Sequence, residues 1–61
     1  MLKIEIKTGN AAYSDDDKLT DKGRLNLAAN LKVIANMIAC GESDGIIMDI
    51  NGNKVGIWEV S

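Results

Sequence analysis

Apolar and polar residues alternate without a break from Leu2 to Lys7, with Leu2, Ile4 and Ile6 on one side and Lys3, Glu5 and Lys7 on the other. A period of two marks a strand with one buried face. The pattern therefore predicts a strand over 2–7, ended by the turn chemistry of Thr8, Gly9 and Asn10. The period then changes. Leu27, Leu31, Ile34 and Ile38 step by four, three and four, a narrow stripe along one face of a helix. Ala28 and Ala35 flank the stripe, while Asn26, Lys32 and Asn36 fall on the face expected to be solvated. The helix is predicted over about 21–40, with Thr20 as its N-cap and Gly41 as a left-handed C-cap. A helix unbroken from Ser14 to Ala39 would run to nearly 40 Å, against about 20 Å for a six-residue strand. Gly23 also costs about 1 kcal/mol relative to alanine in a helix interior. A separate helical turn near Asp15–Lys18 is therefore expected ahead of the main helix.

Ile46 to Val60 reads as a hairpin around Asn51–Gly52. A two-residue loop would pair Ile50 with Asn53 and set Val55 and Ile57 on the face of Ile46 and Met48. A three-residue loop, Ile50–Asn51–Gly52 with Gly52 left-handed, pairs Asp49 with Asn53 instead. Gly56, Trp58 and Val60 then join Ile46 and Met48 inside. Asp49 suits the first position of such a turn. This register also buries the only tryptophan and leaves Glu59 outside, so it is preferred. Gly56 is then the point where the helix backbone should approach the sheet.

These elements make an α+β fold, β-α-β-β: a three-stranded, mostly antiparallel sheet with one helix packed on one face. Residues 1–61 are read as one small domain, with a strand at 2–7, the helix at about 21–40 and the hairpin at 45–60. The hairpin's returning strand is expected in the centre, giving the order first-third-second across the sheet. Direct parallel pairing of the first and second strands is the alternative.

Length and composition narrow the function. A chain of 61 residues buries only about 60% of the surface its unfolded form exposes, so its core must be small. Seven Lys and Arg against nine Asp and Glu give a net charge of −2, which argues against a main task of gripping nucleic-acid phosphates or anionic lipid. The chain has no histidine and one cysteine, so a His-based acid–base site, a Cys/His zinc site and an internal disulfide are all excluded. No apolar run approaches the roughly 20 residues of a membrane span, and no leader is read ahead of the first strand. A cytoplasmic setting is expected.

Candidate chemistry is sparse. Cys40 falls at a helix C-terminus, where the negative dipole end disfavours a thiolate, and it has no histidine to act as base. Asp15, Asp16 and Asp17 lack the alternating ligands and distal glutamate of a calcium loop and read as a solvated acidic turn. Gly52 and Gly56 lack the context of a phosphate loop. No catalytic residue, metal site or cofactor is expected. In the preferred register Ile47, Val55 and Ile57 sit together on the outer sheet face among Lys and Glu, a docking or dimer surface. The helix back adds Val33 and Cys40 as a weaker candidate, and the sheet edges could accept a strand from a partner.

The stretches Lys7-Thr8-Gly9-Asn10-Ala11-Ala12-Tyr13 and Asp49-Ile50-Asn51-Gly52-Asn53-Lys54-Val55-Gly56-Ile57-Trp58 resemble a group of very small uncharacterised proteins. That group occurs in phages, plasmids and conjugative elements, largely of Gram-positive bacteria. The likeness runs nearly the whole length. Members of the group often carry a charged residue where this chain has Ile57, and their helices are usually richer in Arg and Glu. The resemblance implies a mobile-element accessory protein and brings no activity with it. The expectation is a non-enzymatic protein-interaction module, either homodimeric or bound to another protein, that docks through Ile47, Val55 and Ile57. The alternative is weak nucleic-acid binding by Lys3, Lys7 and Lys54.

Overall fold

The computed structural model describes residues 1–16 and 18–61; Asp17, which belongs to the predicted helical turn and the acidic run, lies outside the described residues. Strand β1 (Leu2–Ile6) is followed by two very short strands, β2 (Ser14–Asp15) and β3 (Lys18–Leu19). Helix α1 (Asp21–Ala39) comes next, then β4 (Asp44–Met48) and β5 (Lys54–Val60). The fold is α+β, with one helix and a three-stranded antiparallel sheet. Five strands rather than three change the numbering: the order is β1-β5-β4 and not first-third-second, with the hairpin's returning arm in the centre. The extra ribbon, β2 against β3, replaces the predicted turn of helix. Asp16 turns its corner at φ 49, a left-handed conformation that aspartate tolerates better than most side chains.

The helix ends as its sequence dictates. Thr20 Oγ1 accepts the Gly23 N–H at 2.9 Å, closing the N-terminus. At the other end Gly41 adopts φ +97, and the N–H groups of Gly41 and Glu42 donate to Ile38 O and Met37 O, both at 3.0 Å. This pattern satisfies carbonyls that the last turn would otherwise leave open.

The buried face of α1 is not the predicted stripe. Gly23 and Ile34 are buried and Leu27 and Met37 partly so, whereas Leu31 and Ile38 are exposed at 44% and 37%. The helix is turned by the connection that precedes it. Asn26, assigned to the solvated face, donates through Nδ2 to Ala12 O at 2.8 Å. Asn30 accepts the Tyr13 hydroxyl at 2.7 Å and donates to Met48 O at 3.0 Å. Two asparagines thus face inward because backbone carbonyls and a buried phenol need partners there. The core comprises Ala12, Tyr13, Ile34, Ile47, Val55 and Trp58, with Ile4, Ile6, Leu19, Leu27 and Met37 packed against it.

The hairpin loop has the preferred three-residue form. The Asp49 N–H donates to Asn53 O at 2.9 Å, and Gly52 closes the turn at φ +82. One step on, the register slips. Met48 pairs with Lys54, but Ile47 pairs with Gly56, leaving Val55 as the extra residue of a β-bulge. The bulge reverses the facing expected for β4. Ile47 and Asp49 turn inward with Trp58, and Ile46 and Met48 turn outward. It also brings Gly45 opposite Trp58, where any Cβ would lie 2.6 Å from the indole nitrogen. Gly56 has a different role from the one expected. A Cβ there would meet the Glu5 carbonyl oxygen of β1 at 1.8 Å, so the close neighbour is β1 and not the helix.

Candidate interaction surface

Two regions gather polar or apolar groups in ways that need explaining: the hairpin tip and the outer face of the sheet. At the tip, the two sequence stretches that carry the family resemblance prove to be halves of one hydrogen-bonded unit. Asp49 Oδ1 accepts the backbone N–H groups of Asn51 and Asn53, both at 2.9 Å. Its Oδ2 accepts from Asn10 Nδ2 at 3.1 Å and from Asn53 Nδ2 at 3.3 Å. Asn10 in turn accepts the Ala12 N–H at 3.0 Å, which shapes the loop that delivers Tyr13 to the core. Both Asp49 oxygens are occupied within the protein, so this carboxylate organises the hairpin and holds no place open for a substrate.

These donors, the Asn53 N–H foremost, keep the Asp49 carboxyl below its ordinary range. Tyr13 is raised above its ordinary value by burial and, secondarily, by the Asp49 charge. The sign for Asp49 follows directly. A carboxylate whose folded pKa is depressed contributes stability that is complete above the unfolded value, near pH 4, and is lost as pH falls through the folded value. Thermal midpoints followed by circular dichroism from pH 7 to pH 2 should therefore stay level to about pH 5 and drop steeply below about pH 4. Asp49→Asn should lower the midpoint at pH 7 and flatten the acid limb; an unchanged acid limb would separate Asp49 from the acid sensitivity.

The outer sheet face is built differently from the expected one. Ile47 and Val55 are buried at 4% and 5% exposure, so two of the three anchors expected there belong to the core. The bulge is the cause, because it turns both side chains toward α1. Ile57 alone of the three lies outside, at 42% exposure, and its neighbours are Ile46 at 58% and Met48 at 42%. Ile46 and Ile57 are directly paired across β4 and β5, and Ile57 pairs with Glu5 on β1. Sequence reasoning missed Ile46 and Met48; the signal that could have found them is Gly56, since an isolated glycine within a strand marks a bulge.

Around this apolar centre the charges are sorted. Toward one end, Asp44 pairs with Glu59 and Glu59 with Lys3. Toward the other, Lys54 pairs with Met48, and Lys54 and Lys7 border a shallow groove of about 590 Å³ that also touches Glu5 and Ile57. Lys3 Nζ lies 3.3 Å from a Glu5 carboxylate oxygen. The three lysines weighed for nucleic acid are thus divided: Lys7 and Lys54 share the groove, while Lys3 sits at the acidic end against carboxylates.

The remaining candidates do not converge. Cys40 is exposed at the helix C-cap. Val33 is exposed and borders a smaller cleft, about 200 Å³, between α1 and β4 with Met37, Ile46, Met48 and Trp58. Among the described residues, no three side chains of metal-ligand type gather. No helix is long and apolar enough to cross a membrane. Comparison of the chain with family models, curated proteins and solved structures finds no match.

Proposed function

We propose that the protein is a non-enzymatic protein-interaction module, an accessory of a mobile genetic element acting in the cytoplasm, and that it docks through the outer face of its sheet. One observation carries the reading. The core occupies only one side of the three-stranded sheet, and the other side presents Ile46, Ile57 and Met48 as neighbours with no layer over them. An apolar sheet face with a charged rim is what a second layer would cover, either from the same chain or from a partner. The mobile-element setting rests on the resemblance of the Thr8–Tyr13 and Asp49–Trp58 stretches.

Ile57→Lys tests it. The substitution lies outside the core, so its thermal midpoint should correspond to a stability within about 0.5 kcal/mol of wild type. A photoreactive residue at position 48 should cross-link to protein in the wild-type background and lose that product in Ile57→Lys. The same probe at position 32, on the solvated side of α1, is the control. Cross-links that survive the substitution, or that form equally from position 32, would remove the outer face from consideration.

A further inference from the structure

We infer that the occupant of the outer sheet face is a second copy of this chain, laid face to face with its strands antiparallel to those of the first; the inference rests on the outer-face reading above. The argument is the order of charges along the face. Across β4, β5 and β1 the outward residues form three rows: Asp44, Glu59 and Lys3; then Ile46, Ile57 and Glu5; then Met48 and Lys54, with Lys7 beside Lys54 on the same groove. Two carboxylates stand at one end of the face and two ammonium groups at the other, with the isoleucine pair between them. Lys3, the one cation of the acidic end, is already engaged by Glu5.

A face with this order is complementary to itself in one orientation. Stacked sheets approach to about 10 Å, close enough for long side chains on facing rows to meet. A two-fold axis that lies in the interface and crosses the strands at the middle row maps the acidic row onto the basic one. Ile46 and Ile57 then meet their own copies, and Glu59 faces the partner's Lys54, twice by symmetry, as in any isologous contact. An axis along the strands would instead set Glu59 against the partner's Glu59 and Lys54 against the partner's Lys54, which repel. Charge therefore selects the antiparallel stacking and disfavours the parallel one. An interface limited to one three-stranded face falls at the low end of interface sizes, so the association is read over a wide range of protein concentration.

Sedimentation equilibrium of the full chain, from tens of micromolar to about a millimolar, tests the inference together with two charge reversals. Wild type should pass from monomer to dimer as concentration rises and should dissociate with added salt. E59K and K54E should each weaken the dimer by about tenfold or more, since each reversal turns both symmetry-related pairs repulsive. An equimolar mixture of E59K and K54E should recover association as a heterodimer, because both pairs are then attractive again. Circular dichroism confirms that the variants are folded. A wild type that stays monomeric throughout, single reversals that leave the dimer unchanged, or a mixture no tighter than either variant alone would each overturn the inference. A monomeric wild type whose position-48 probe still captures another protein, in a manner lost in Ile57→Lys, would overturn the second copy alone and leave the outer-face reading standing.

Discussion

Gly23→Ala is expected to unfold the domain, although the same exchange in a free helix would stabilise it by about 1 kcal/mol. The difference lies in what crosses the helix at that point. A Cβ on Gly23 would stand 1.7 Å from the Tyr13 carbonyl oxygen, 2.4 Å from its carbonyl carbon and 2.6 Å from its Cα. All three are main-chain atoms, so no side-chain rotation relieves the contact. The Tyr13 carbonyl is also held, by the Thr20 N–H at 3.0 Å and the Thr20 hydroxyl at 3.3 Å. To admit the methyl group, the helix must move off the connection, which breaks those bonds, the Asn26–Ala12 bond and the burial of Tyr13 together. A chain of this length has a total stability of only roughly 3–5 kcal/mol to set against that loss. Far-UV circular dichroism at 25 °C should show a largely unfolded chain. A variant with a raised urea midpoint would mean that Tyr13 does not pass over the helix where the structure puts it.

That same glycine shows where the sequence was legible and where it was not. The strand at the start, the Thr20 and Gly41 caps and the three-residue loop at Ile50–Gly52 all follow from local chemistry: alternation, a hydroxyl ahead of a helix, a glycine at a positive φ. Gly23 was visible as a violation of helix propensity, but its reason lies in Tyr13, ten residues earlier, and no local pattern reports a crossing of two backbones. Asn26 and Asn30 were misplaced for a related reason. Their inward turn satisfies the Ala12 and Met48 carbonyls and the Tyr13 hydroxyl, whose positions exist only once the chain has folded. The candidate site suffered most. Its membership hangs on side-chain parity in β4, and one extra residue at Val55 exchanges Ile47 for Ile46 and Met48 on the outer face. The trace of the bulge was present in Gly45 and Gly56, two glycines on facing strands. Their need is tertiary, one beneath the Trp58 indole and the other beside the Glu5 carbonyl.

Trp58→Ala should be as damaging as the glycine exchange, whereas Trp58→Phe should be close to neutral. Trp58 is the largest fully buried side chain, at 1% exposure, and sits among Tyr13, Ile34, Ile47 and Val55. Truncating a buried aromatic to alanine costs about 3–5 kcal/mol, which consumes the whole stability of a domain this small. Phenylalanine sets two effects against each other. The smaller ring loses part of the packing, but the indole Nε1–H, buried without a hydrogen-bond partner in the protein, disappears with it. An unsatisfied buried donor costs about 1–3 kcal/mol, comparable to the packing lost. Urea denaturation should therefore place Trp58→Phe within about 1.5 kcal/mol of wild type, with Trp58→Ala unfolded. Gly45 supplies the cross-check. Its Cβ would stand 2.6 Å from Nε1 and 3.2 Å from Cε2, so Gly45→Ala should be strongly destabilising beside the indole and markedly less so beside the smaller phenyl ring. The double-mutant cycle of Gly45→Ala with Trp58→Phe should return a coupling larger than about 0.5 kcal/mol, the ordinary scatter for sites that do not touch. Strict additivity would mean that the indole does not lie over Gly45, and with it would fall the register that puts Ile46 and Ile57 side by side on the outer face.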